Sequence, residues 1–352
     1  MINEKDYFKE KKKLAVYPYN KYSKCILNYK NLLPFNVKLV DNNHSSYKKC
    51  KIFNIDEFIK YDFDDIDSFL FLNLFENNND NYSLKKLFHE YILKNNVSTY
   101  FISKKNAIKY KELFPEYKEE VLMPIYNNQF VKRQIPLYKK YDKDNGIDIP
   151  IISIFGSTYN QNKFSFILQL YSKLKHRGYS LNVISKNFIG NIWGFNTLIS
   201  NLLPVNMWIF FLKSYLKREE YKDNDLIIIG ESGTFYHDIY NIEILNEIQP
   251  DFNILCININ DSIEKISLLL SRFKCMNIQG VLPHALYLSN YKTRDSSISK
   301  LDENSIDKKC NKLLDCFNIK VFYNKNIFQL VEYIESTINL SLTKKEKNFE
   351  NH

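Results

Sequence analysis

Short apolar runs, each too brief for a helix, recur along this 352-residue chain with amphipathic stretches between them. "SFLFLNLF" (68–75), "IPIISIF", "DLIIIG" and "FNILCI" carry almost no polar alternation, so each reads as a strand covered on both faces. Strands that alternate with helices cannot close by hairpins and must pair in parallel, which predicts an α/β chain with mostly parallel sheets. In the first half, "KKLAVYPYN", "NVKLVDNN", "SFLFLNLF" and "STYFISKK" are the strands. "KCILNYKNLL" and "SLKKLFHEYILKN" are the helices between them. This predicts a Rossmann-like N-terminal domain over 11–124. No G-x-G-x-x-G follows its first strand, so dinucleotide binding there has no basis in the sequence.

Residues 125–149 lose the alternation and gather Lys, Asn and Asp, the mark of a linker. Over 150–340 the alternation resumes as a second three-layer α/β/α domain, and 341–352 form a polar tail. The net charge of +9 comes from 49 basic against 40 acidic residues, with the lysines spread along the chain. Spread charge makes solvated faces, so no nucleic-acid partner is expected. The six cysteines show no C-x-x-C pair, which points to free thiols in a reducing cytoplasm. No apolar signal-like segment follows the polar N-terminus. The most apolar stretch, "TLISNLLPVNMWIFFL", is interrupted by Asn201, Pro204 and Asn206, so no membrane span is expected either.

The segment "IPIISIFGSTYNQNKFSFILQLYSKLKHRGYSLNVIS" has the layout of a phosphate-binding loop, which predicts a P-loop NTPase-like domain over 150–340. A buried strand ends at Gly156, a polar loop follows, and Lys163 opens a long helix closed by Gly178. Backbone N–H groups at a helix N-terminus point at an anion there, and the lysine reaches its outer phosphates. The candidate nucleotide-binding residues are Gly156, Ser157, Thr158, Tyr159, Asn160, Gln161, Asn162, Lys163, Phe164 and Ser165. The gap between glycine and lysine is one residue longer than in G-x-x-x-x-G-K-[ST]. That spacing resembles the loop of dethiobiotin synthetases, G-T-D-T-x-V-G-K-T. Set against it, Asn162 replaces the second glycine, a substitution that asparagine's tolerance of left-handed backbone softens. Phe164 replaces the magnesium-binding threonine and cannot ligate a metal. The resemblance implies ATP or GTP with Mg2+ as the ligand.

"DLIIIGESGTF" supplies a second signal, a strand ending in a glycine turn where P-loop enzymes carry a metal-holding acid. Glu231 is the metal candidate, with Asp238 behind it. Asn258 and Asn260, in "CININD", stand where base-reading groups are found in such folds. His237 and Asp238 are adjacent and do not converge as a base and its orienter. His284 follows a proline near a strand end. Trp193 and Phe195 read either as a peptide-docking surface or as core, and core is the commoner fate of such residues.

The opening "KKKLAVYPYNKYSKCILNYKNLL" and the later "GSTYNQNKF", "IIIGESG" and "QPDF" together resemble an uncharacterised clostridial family of peptide maturation systems. Its loop runs G-T-G-x-N-x-G-K-F, with the same phenylalanine after the lysine. The present chain departs from that pattern at Asn28, Thr158, Asn162 and Glu231–Ser232. The resemblance implies an accessory protein of ribosomal-peptide (bacteriocin-like) maturation that binds a nucleotide, with a precursor peptide or a radical-SAM maturase as partner. Two other readings stay open: an ATP-dependent ligase or kinase of dethiobiotin-synthetase type, and a catalytically inactive scaffold that holds the peptide or the maturase.

Overall fold

A computed structural model describes residues 13–41, 51–61, 63, 66–72, 81–101, 104–115, 120–121, 147–157, 163–185, 187–197, 204–220, 222, 224–230, 239–257, 261–272, 278–282, 287–288, 299–300, 303–323 and 326–338. The chain divides into two compact units. One is Met1–Ile125 with Phe188–Phe195, and the other is Tyr126–Asn187 with Asn196–His352.

In the first unit, β1 (Lys13–Tyr17), β2 (Asn36–Asp41), β3 (Ile52–Asn54), β4 (Ser68–Phe71), β5 (Ser98–Phe101) and β6 (Glu120–Val121) make one all-parallel sheet. Its order, β3-β2-β1-β4-β5-β6, is that of the doubly wound Rossmann sheet. The α/β class with parallel pairing is therefore as expected. The helices are α1 (Lys21–Asn28), α2 (Ile55–Lys60), α3 (Asn81–Leu87), which runs on into a π-turn over Phe88–Ile92, and α4 (Lys104–Leu113). Alternation along the strands turns Phe69, Phe71 and Phe101 to one face, where Phe58, Phe88, Tyr91, Tyr110 and Phe114 pack on them. Phe88 and Tyr110 lie 4.3 Å apart between ring centres, close enough for aromatic attraction beyond simple burial.

Two details differ from the reading of the sequence. "KCILNYKNLL" reads as one helix, but α1 ends at Asn28 and Lys30–Leu32 form a separate 3-10 turn. Between β2 and β4 the structure adds β3 and α2, whose start is fixed by a capping box: the Asn54 side chain accepts from the Glu57 N–H at 2.6 Å. The first unit is also completed by residues remote in sequence. Phe188–Trp193 form a 3-10 helix that leaves the second unit, and Ile189, Ile192, Trp193 and Phe195 are buried. The Trp193 indole N–H donates to the Tyr29 carbonyl at 3.4 Å. Both aromatics are core.

The second unit is built on β7 (Ile151–Gly156), β8 (Leu181–Ser185), β9 (Asn196–Thr197), β10 (Leu226–Gly230), β11 (Phe252–Cys256), β12 (Ile278–Leu282) and, after the antiparallel ribbon β13 (Tyr287–Leu288) and β14 (Ser299–Lys300), β15 (Val321–Tyr323). Its seven-stranded sheet is all parallel, ordered β15-β12-β11-β7-β10-β8-β9. The helices are α5 (Lys163–His176), α6 (Val205–Glu220), α7 (Ile239–Ile248), α8 (Ile263–Leu270), α9 (Glu303–Phe317) and α10 (Ile327–Ile338). Ile227 and Ile229 of β10 face α6 and α7, packing with Trp208, Phe211, Tyr215 and Ile244. Phe155 and Leu255 face α7, α8 and α9 on that same side. Gly230, one residue after Ile229, turns to the opposite face and meets α5; a Cβ there would come within 2.3 Å of Ile167. On that face α10 packs on α5, with Tyr333 edge-on to Phe252. The result is three layers, with β7 at the centre of the sheet.

Candidate functional site

In open α/β sheets the ligand crevice lies outside the carboxyl ends of the strands, where successive connections leave for opposite faces. In the first unit that point is at the ends of β1 and β4. The helix that starts there is closed by its own residues: the Asn20 side chain accepts from the N–H groups of Tyr22 and Ser23, at 2.9 and 3.1 Å. Ser23 returns the bond by accepting from the Asn20 N–H at 2.7 Å. Two of the N–H donors at that helix end are thus occupied by the cap.

The second unit differs. β7 leads to α5 on one face, whereas the neighbouring β11 leads to α8 on the other, so the switch point lies between Gly156 and Cys256, which are paired in register. Lys163 is the first residue of α5 and is only 8% exposed. A lysine charge held at the positive end of a helix makes that spot strongly favourable for an anion. Its field reaches β11: burial pushes the Cys256 thiol up to about 12, and the Lys163 ammonium pulls in the opposite sense.

Ser157 behaves as an anchor. Its N–H donates to the Cys256 carbonyl at 3.0 Å, and its hydroxyl, 1% exposed, donates to the Asp261 carboxylate. Asp261 is 5% exposed and pairs with Lys265 at 3.0 Å, while Lys309 from α9 donates to the Asp261 carbonyl. Burial holds the Lys309 ammonium below its ordinary value, with Asp261 partly offsetting this. Beneath this layer, Ser153 and Asn253 join β7 to β11 by a buried hydrogen bond of 2.5 Å.

The structure thus brings together Gly156, Ser157 and Lys163 at the switch point, with Phe164 buried in the core after the lysine. Ser165 follows Phe164 in α5. Thr158, Tyr159, Asn160, Gln161, Asn162, Glu231, Asp238, Asn258, Asn260, His237 and His284 lie outside the described residues. Asp261 and its lysines carry no motif and were not singled out in the sequence. The available signal was an acid directly before Ser262, the N-cap of α8.

The described residues do not fit a magnesium ion. The hydroxyl position after the lysine is the buried Phe164, and the Asp261 carboxylate is already shared by Ser157 and Lys265. Among the described residues no group of three or more His, Cys, Asp or Glu side chains could hold a metal.

No family model and no curated protein matches the sequence. Among solved structures, the chain is similar in fold to a DUF1611 family protein from Anabaena variabilis. The TM-score is 0.61 at 11% identity, covering 94% of this chain and 100% of that one. Such an identity shows the fold alone. The LAO/AO transport system kinase gives a TM-score of 0.37 at 10% identity, covering 62% of this chain and 70% of that one. A nucleotide-binding protein in complex with ADP from Archaeoglobus fulgidus gives 0.35 at 11% identity, covering 58% and 90%. Both scores are too low to carry an argument. Among the described residues no helix is long and apolar enough to cross a membrane.

Cys256 makes the local packing testable. Its folded thiol is neutral up to about 12, against an ordinary value of 9.0, so the unfolded chain loses this proton first as pH rises. The stability that burial of the neutral thiol supplies is complete below pH 9 and falls away above it, by at most about 1.4 kcal/mol per pH unit. Urea midpoints measured at pH 8 and pH 10.5 are expected to fall more in wild type than in Cys256→Ala. Equal slopes would show that the thiol is not shielded.

Proposed function

We propose that the second unit binds a nucleoside phosphate, ATP or GTP in the first instance, at the carboxyl ends of β7 and β11. Support comes chiefly from one observation: Lys163, the first residue of the helix that follows the central strand, is buried at the switch point. The helix end supplies the equivalent of about half a positive charge and the ammonium a whole one. Gly156 closes the strand without a side chain, and Ser157 pins the base of the loop to Asp261 and Cys256. Binding, orientation and charge neutralisation are therefore the tasks of these residues.

The same reading extends to an accessory role in ribosomal-peptide maturation, with a precursor peptide or radical-SAM maturase as partner, on the strength of the sequence resemblance alone. Its test is co-purification with a maturase encoded beside it. A ligase or kinase of dethiobiotin-synthetase type is the rival reading, and the hydrocarbon at 164 weighs against it.

Isothermal titration of the full chain with ATP and with GTP tests the nucleotide claim. Saturable binding is expected, weakened by about tenfold or more in Lys163→Ala, the range of a charge-assisted bond to phosphate. No binding by wild type, or equal binding by the variant, would defeat it.

A further inference from the structure

We propose that this site holds its phosphate-bearing ligand without a divalent cation, the charge being met by ammonium groups of the chain itself. The inference rests on the nucleotide reading above and sharpens its ligand class. Phosphate loops take up Mg2+ through the hydroxyl next to the lysine and through a carboxylate, reached directly or by water. In this chain the residue next to Lys163 is Phe164, whose ring is buried in the core. Hydrocarbon stands where an oxygen ligand is needed. The next hydroxyl, Ser165, is carried about 100° further round the helix axis. The hydroxyl at the base of the loop, Ser157, donates to Asp261.

Among the described residues, the carboxylate bonded to the base of the loop, that of Asp261, is equally engaged. Ser157 occupies Oδ2 of Asp261, and Lys265 lies 3.0 Å from Oδ1. Mg2+ demands a near-octahedral shell of oxygens at about 2.0–2.1 Å and gives up water reluctantly. To use Asp261 it would have to displace a hydroxyl and an ammonium from a carboxylate that is almost wholly buried. Cations of the protein are already in position. Lys163 opens α5, the helix that follows the central strand β7. Lys265 and Lys309 are tied to the side chain and the carbonyl of Asp261. Lys163 stands at the positive end of the α5 dipole, and Lys265 and Lys309 gather at Asp261, with Glu264 acting on Lys309 as a second acid. Such a site neutralises free phosphate oxygens as ion pairs, so a nucleoside diphosphate with no chelated metal suits it at least as well as a magnesium triphosphate.

Equilibrium dialysis of the full chain against radiolabelled ADP, in excess EDTA and again in millimolar Mg2+, tests this. The dissociation constant is expected to agree between the two buffers within about twofold, and Lys163→Ala to weaken binding about tenfold or more in both. Glu231→Gln, which changes the acid that the sequence offers for a metal, is expected to bind ADP as wild type does. Binding at least about tenfold tighter with Mg2+, or a matching loss in Glu231→Gln, overturns the inference while leaving the nucleotide site standing. Binding in neither buffer overturns the nucleotide reading itself, and this inference with it.

Discussion

Replacing Glu219 by alanine is expected to lower the stability of the second unit by about 3 kcal/mol, the low end of the cost of breaking a buried charged network. Glu219 lies in the last turn of α6 and is 2% exposed. Its carboxylate accepts from the Asn182 side-chain amide at 2.8 Å and pairs with Arg218 and Lys222, each at 2.8 Å. Asn182 in turn accepts from Asn196 at 2.8 Å, so one carboxylate ties α6 to β8 and β9, the strands at that side of the sheet. An acid at a helix C-terminus opposes the helix dipole by about 0.3–1 kcal/mol. Charge-assisted bonds of about 1.5–3 kcal/mol each outweigh that. Alanine leaves the buried Asn182 amide without this acceptor, while Arg218 and Lys222 are exposed enough to find water. Glutamine keeps an acceptor for Asn182 and is expected to cost only about 1 kcal/mol. Trp208 stands on the same helix, so its fluorescence in urea reports the change: a midpoint about 1 M lower for alanine, from typical denaturant slopes. Coincident curves for wild type and Glu219→Ala would remove the network from the stability of this unit.

Trp193→Ala is expected to destabilise the first unit by about 3–5 kcal/mol, the usual range for truncating a buried aromatic to alanine. The side chain is 7% exposed, packs obliquely on Phe195 at 6.3 Å, and donates to the Tyr29 carbonyl. Truncation removes apolar burial, leaves a cavity and takes a donor away from Tyr29. Gly194, at φ +75°, follows it in a conformation that residues with a Cβ rarely adopt, so the turn has little freedom to close the gap. The chain has two tryptophans, and the variant keeps only Trp208. That makes the two units separable by signal. Circular dichroism should show an early loss of structure in urea, while the Trp208 transition stays near its wild-type midpoint. A Trp208 transition that moves together with the dichroism would contradict the assignment of 188–195 to the first core.

Much of the fold was legible because the strands are buried on both faces. β4, β7, β10 and β11 are apolar runs broken only by Ser68, Ser153 and Asn253, and helices between such runs leave parallel pairing as the available solution. Periodicity failed where an element is too short to repeat its pattern. β3 has three residues, and its presence is fixed by the neighbour it pairs with and by the Asn54 cap, not by any pattern of its own. The excursion over 188–195 was invisible for another reason: Trp193 and Phe195 are apolar wherever they go, and a local pattern cannot name the core that receives them. At the site, Lys163 and Gly156 were legible because a loop that holds phosphate needs a small residue at the strand end and a cation at the helix start. Asp261 was not, since its role depends on β11 lying beside β7, a pairing between residues about a hundred positions apart. Ser157 was legible as a loop residue but not as an anchor, for that same reason.

The most direct measurement is a crystal structure of the full chain with ADP. The diphosphate is expected against the first turn of α5, with an oxygen about 2.7–2.9 Å from Lys163 Nζ, the length of a charge-assisted hydrogen bond. Ser157 should remain bonded to Asp261 beneath it. A nucleotide bound elsewhere in the chain, with Lys163 touching none of its oxygens, would contradict the phosphate site.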